Sequence, residues 1–118
     1  MLSGVGCEKV FLAAGATDLR KSIDGLAAIV QESFELDPFS TDLFVFCNKP
    51  RDRLKILRWQ HNGFWLYIRR LESGKFNWPQ YADTDAVEVG SRELGWLLDG
   101  LSFQQEKAHK KVFPKVVV

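Results

Sequence analysis

Asn62-Gly63 lies between two runs, 54–60 (LKILRWQ) and 64–71 (FWLYIRRL), that are rich in aliphatic and aromatic residues. A two-residue hairpin loop needs positive φ at both central positions, and Asn-Gly meets that need at least cost. The signal predicts two strands folded back on each other, and with them a sheet. It also predicts a register: His61 opposite Phe64, Gln60 opposite Trp65, Trp59 opposite Leu66, Arg58 opposite Tyr67, Leu57 opposite Ile68 and Ile56 opposite Arg69. Opposed residues share a face, and faces alternate along each strand. One face collects Leu57, Trp59, Phe64, Leu66 and Ile68 and reads as core. The other collects Arg58, Gln60, Trp65, Tyr67 and Arg69, with Ile56 at its end, and reads as an aromatic and guanidinium surface.

The rest of the chain supplies partners for that hairpin. KVFLA at 9–13 reads as a short strand followed by a turn at Gly15. Thr17 is a good N-cap and Asp18 suits the positive end of a helix. Leu19, Ile23, Leu26, Val30 and Phe34 recur at helical spacing, which predicts one amphipathic helix of about four turns. Asp37-Pro38 ends it, because proline lacks the donor and restricts the residue before it. LFVFC at 43–47 is a continuous apolar run, as expected of a strand covered on both faces. Glu72-Ser73-Gly74-Lys75 is a second turn, after which Phe76 to Trp78 extends the sheet or fills the core. Asp83, Asp85 and Glu88 read as a solvated loop. Ser91 is expected to cap a short helix closed by Gly100, and a polar helix is expected from Ser102 towards Lys111.

The predicted fold class is α+β: a mostly antiparallel sheet of four or five strands with a central hairpin. One long N-terminal helix and short C-terminal helices are expected to pack on one side of it. The 118 residues are expected to form a single domain, with 102–118 a flexible or element-specific tail. No apolar run approaches the ~20 residues of a membrane span, and no secretory signal is visible, so a cytoplasmic setting is expected. Cys7 and Cys47 form no disulfide framework, and with His61 and His109 they match no zinc spacing. No metal or cofactor is expected.

Charge is distributed unevenly. Residues 49–75 hold eight basic residues against two acidic ones, a net of +6, whereas residues 1–48 carry −4 and residues 76–118 carry −1. The overall +1 conceals a polarised molecule, which suggests an anionic partner. The candidate nucleic-acid contacts are Lys49, Arg51, Arg53, Lys55, Arg58, Trp65, Tyr67, Arg69, Arg70 and Lys75. Arginine and lysine neutralise phosphates and release counterions, and exposed aromatic rings can stack on unpaired bases. The alternatives are a protein-binding surface, or arginine stems that simply cover the rings. The loop at 48–53 is the foremost phosphate candidate.

Catalysis is not expected. Asp18 and Asp24 are six apart on the expected helix and do not share a face, so they cannot hold a pair of divalent ions. Cys47 lies in a buried strand, where a thiol is inert, and Gly15-Ala16-Thr17 is too short for a phosphate loop and lacks its lysine.

Three blocks together carry a resemblance: TDLRKSIDGLAAIV at 17–30, LFVFCNKPRDRLKIL at 43–57 and GFWLYIRRLESGKFNWP at 63–79. In order and spacing they resemble the accessory protein family TnpB of bacterial insertion sequence 66 elements, over about residues 9–101. Cys47 stands where members often carry a basic residue. The resemblance implies a role in transposition beside a separate transposase, and it transfers no active-site residues. The matching positions are Asp18, Arg20, Lys21, Arg51, Arg53, Lys55, Arg70, Gly74, Phe76, Trp78 and Pro79. The expected partners are therefore DNA at the element ends, the transposase and other element-encoded protein. The alternative is a protein adaptor without DNA contact. Apolar strand edges at 9–13 or 116–118 make a homodimer by strand addition conceivable.

Overall fold

The computed structural model of the chain describes residues 9–99. Strands β3 (Arg53–Gln60) and β4 (Gly63–Arg70) form the expected hairpin, but the loop closes one residue early. His61 (φ 52°) and Asn62 (φ 65°) take the two left-handed positions, and Gly63 enters the ladder opposite Gln60. Histidine and asparagine are among the side chains that tolerate this region. Every expected pairing is thereby displaced by two: Trp59 faces Phe64, Arg58 faces Trp65, Leu57 faces Leu66 and Ile56 faces Tyr67. The shifted loop sets Trp59 against Phe64, with ring centroids 4.9 Å apart. A displacement of two preserves side-chain parity, so both faces keep their predicted members.

The hairpin is not central. Strands β1 (Val10–Ala13), β2 (Leu43–Cys47) and β5 (Ala86–Val89) complete a five-stranded sheet of order β4-β3-β2-β1-β5. β1 and β2 run parallel, and the other three pairings are antiparallel, so the sheet is mixed. β5 takes Glu88 out of the expected solvated loop, while Asp83 and Asp85 stay exposed in the bend before it. β1 is paired on both sides and offers no edge for strand addition. The segment with Phe76 and Trp78 is irregular, and both side chains are buried. The expected polar helix and tail after residue 99 lie outside the described residues.

The expected long N-terminal helix is overturned. Helix α1 is ten residues, Ile23–Glu32, and α2 is eight, Ser91–Leu98. Thr17 is no cap, because the helix starts only at Ile23, and its N–H is instead tied to Cys47 O at 2.8 Å. Asp18 accepts from the Arg20 N–H at 3.0 Å, a local turn that competes with helix. Ser22 takes the N-cap position, and Glu35 at φ 57° reverses the chain before Pro38. Packing on one side is also overturned. Leu26 and Val30 of α1 join Ala13, Phe44, Phe46 and Leu57 on one face, whereas Leu94 and Leu97 of α2 join Leu12, Val45 and Ile56 on the other. Glu93 Oε1 accepts from the Gly90 N–H at 2.9 Å, and Gly90 is the N-cap of α2, one residue ahead of the expected cap Ser91.

Covered on both faces, all five residues of β2 are buried, and burial pushes the Cys47 thiol from 9.0 up to about 12. The folded state therefore holds its proton where the unfolded state has lost it. Stability from this group is complete below pH 9 and declines as pH rises from about 9 to 12. Iodoacetamide at pH 8 is expected to spare Cys47 in the native protein and modify it in denaturant, read by peptide mass spectrometry. Native labelling at the unfolded rate would contradict this.

Candidate anion-binding cleft

The β2–β3 connection is built around one side chain. Asn48 Oδ1 accepts from the N–H groups of Asp52 (3.0 Å) and Arg53 (3.1 Å), and Asn48 Nδ2 donates to Asp52 Oδ1 at 2.7 Å. The Arg51 N–H donates to Asn48 O at 3.1 Å, and Arg51 sits at φ 63°. The loop's one acid is thus satisfied by an amide. Among the described residues Lys49, Arg51 and Arg53 form no salt bridge. From below, Lys75 Nζ donates to Pro50 O (2.9 Å) and the Phe76 N–H donates to Arg51 O (2.7 Å).

Residues 16–20 face this loop across a cleft of about 610 Å³. Arg20, Lys49, Arg53 and Lys55 line it against the single carboxylate of Asp18, over Leu19, Leu54 and Ile68. Two bonds position the far wall: the Thr17 N–H to Cys47 O, and Lys55 Nζ to Leu19 O at 2.6 Å. Arg20 grips Asp18 with Nε and Nη2 at 3.0 and 2.9 Å. These hydrogen bonds pull the Asp18 carboxyl from 3.8 down to about 2, and the same pairing raises the Arg20 guanidinium. Asp18 is consequently ionised above about pH 2 and partly neutralises one wall.

The ten predicted contacts divide between two sides of the sheet. Lys49, Arg53 and Lys55 meet in the cleft. Arg51 stands in the same loop, and Arg70 lies opposite Arg53 in the ladder, held by Glu72 at 2.9 Å. Lys75 braces the loop. Arg58, Trp65, Tyr67 and Arg69 project to the α2 side, away from the cleft. Arg58 is only 6% exposed, Arg69 Nε donates to Leu98 O at 3.1 Å, and Tyr67 packs on the core. Trp65, 53% exposed, stacks on Tyr67 at 6.1 Å and donates to Gln60 Oε1. Arg20 is the cleft residue that charge counting missed, although it lies in a family-matching block. Asn48 was overlooked as the organiser, and its legible signal was an amide four residues before Asp52.

Ile68 is expected in the core but stands 65% exposed at the cleft floor, since α1 does not reach the end of β4. At the other end of the hairpin, Phe39 (55% exposed) caps Trp59 edge-on at 4.9 Å and lies 5.5 Å from Phe64. Among the described residues no three His, Cys, Asp or Glu side chains converge as a metal-binding group, and no helix is long and apolar enough to cross a membrane.

Fold and site together define a small mixed-sheet domain whose concentrated chemistry is a preorganised cationic cleft. The chain belongs to the family described as IS66 Orf2 like protein, which matches residues 8–108, and is thus an insertion-sequence-associated protein. Two similar proteins come from Sinorhizobium fredii (strain NBRC 101917 / NGR234), both described as uncharacterized. Protein y4hO is 34% identical over 96 residues, 81% of this chain and 83% of its own length. Protein y4jC is 34% identical over 99 residues, 84% of each. No solved structure matches the chain.

Proposed function

We propose that this chain is a non-catalytic accessory factor in transposition that holds DNA of the element through phosphates in the cationic cleft. The observation carrying this reading is the loop at residues 48–53, whose acid is turned onto Asn48 while its cations stay free of salt bridges among the described residues. A loop backbone already fixed before binding lowers the ordering cost of bringing its cations to a phosphate. Lys49, Arg51 and Arg53 make the ionic contacts, Lys55 adds charge while fixing the opposite wall, and Arg20 closes the grip. Trp65 and Tyr67, on the α2 side, stand outside it.

Binding through about four phosphates predicts a plot of log affinity against log salt with a slope of roughly −3 to −4. Fluorescence anisotropy with element-end duplexes between low and moderate salt measures it. An affinity that is absent at low salt, or indifferent to salt, sinks the proposal. The aromatic cluster in which exposed Phe39 packs on half-buried Trp59 and Phe64 favours a second reading, an adaptor for the transposase or another element-encoded protein. Co-purification with the transposase that fails on Phe39→Ala, in a chain that binds no DNA, would select it.

A further inference from the structure

The two edges of the sheet are defended unequally. β5 is four residues long, carries exposed Glu88 and follows Asp83 and Asp85, which discourages strand addition. β4 is eight residues long, contains no proline, and runs uncharged through Phe64, Trp65, Leu66, Tyr67 and Ile68. Two of its large side chains, Trp65 and Ile68, are mostly exposed. Among the described residues nothing pairs with its outer side.

The hairpin determines which backbone groups face outward. In a two-residue loop the closing pair, here Gln60 and Gly63, exchanges both hydrogen bonds, and bonded and non-bonded pairs then alternate. Gly63, Trp65, Tyr67 and Arg69 therefore direct their N–H and C=O groups to β3. Phe64, Leu66, Ile68 and Arg70 direct theirs away from the sheet.

We propose that β4 pairs antiparallel with β4 of a second copy of this chain, about a two-fold axis at Leu66, to give a continuous ten-stranded sheet. In that register Leu66 meets Leu66, and Phe64 of each copy meets Ile68 of the other. These are the outward-facing residues, so each pair exchanges two main-chain hydrogen bonds. On the opposite face, Trp65 of each copy meets Tyr67 of the other, extending the stack already present within one chain. Both exposed apolar side chains thereby acquire an apolar cross-strand neighbour.

Charge selects the same arrangement. Arg69 falls opposite Gly63, and the two Arg69 residues lie roughly 20 Å apart at about 3.4 Å per residue, so like charges stay separated. Parallel pairing in register would set arginine beside arginine. The two-fold axis keeps α1 of both copies on one side of the joined sheet, so both cationic clefts open on the same face. This inference does not depend on DNA binding and is tested without DNA.

Sedimentation equilibrium of the full chain across roughly 1–100 µM is expected to give twice the 13.5 kDa monomer mass at the upper end. Ile68→Pro removes an outward N–H that β4 does not need for its own pairing, so it should give a monomer with unchanged circular dichroism. If that variant unfolds, Trp65→Lys decides, since it alters an exposed side chain and should weaken association at least tenfold. A wild-type chain that stays monomeric overturns the proposal, as does a dimer that survives both substitutions. It is equally overturned if the chain is a monomer and Ile68→Pro instead abolishes co-purification with another element-encoded protein.

Discussion

Replacing Lys49 and Arg53 together by alanine is expected to lower DNA affinity roughly 30- to 100-fold at 0.1 M salt and to reduce the salt slope by about 2. The size follows from counterion release. Each phosphate contact contributes about 0.9 to the slope, which at 0.1 M salt is nearly one decade of affinity, and the difference should vanish as salt approaches 1 M. Neither side chain supports the fold: both are exposed, and the loop conformation rests on Asn48 and on the Arg51 backbone. Circular dichroism and the urea midpoint should therefore not move. Asp18→Asn should act in the opposite direction. It releases Arg20 from its carboxylate, so affinity should rise by up to about tenfold, with the slope steeper by about 1. Unchanged affinity in the double variant excludes the cleft. A loss with an unaltered slope excludes an ionic contact.

What was legible in the sequence can be traced through particular residues. The apolar run at 43–47 already demanded cover on both faces, and the structure supplies it with α1 on one side and α2 on the other. That demand conflicts with helices confined to one side, a conflict the sequence itself contains. The hairpin faces were legible because an error of two in register leaves parity intact, whereas the loop residues were not. Helical periodicity from Leu19 to Phe34 overstated α1, since periodicity reports which residues turn inward and is blind to the Asp18 turn and the Lys55 bond that unwind its start. β5 offers four residues beside an acidic stretch, too short a pattern to separate from loop. Arg58 was read as surface from its charge and parity. Parity assigns a face, but only the tertiary packing of α2, Phe76 and Trp78 tells that this face is covered. Within the candidate site, charge density located the loop, and the turn at Asp18 and Arg20 brought the facing wall.

Trp78→Ala is expected to destabilise the fold by about 3–5 kcal/mol, a large part of the 5–15 kcal/mol that holds a domain of this size. Trp78 is buried against the α2-side core, and its Nε1–H donates to both Ala13 O (2.8 Å) and Gly15 O (3.0 Å). The Gly15 N–H donates in return to Pro79 O at 2.9 Å, and Gly15 adopts φ 76° to make the turn. This clamp fastens the irregular segment after β4 to the end of β1, a junction that no ladder hydrogen bond supports. Alanine leaves a cavity and two carbonyls without their donor. Trp78→Phe fills most of the cavity but still lacks the donor, so it should cost about 1–3 kcal/mol. Urea unfolding followed by circular dichroism distinguishes the three proteins. The clamp also precedes residues 16–20, one wall of the cleft, yet that wall has two anchors of its own at Thr17 and Leu19. Trp78→Phe should therefore lower the urea midpoint while leaving DNA affinity within about twofold, because the anchors of that wall share no hydrogen-bond partner with the clamp. A variant whose midpoint is unchanged would show that the clamp carries no stability. One that loses affinity in step with its midpoint would show that cleft and clamp form a single cooperative unit.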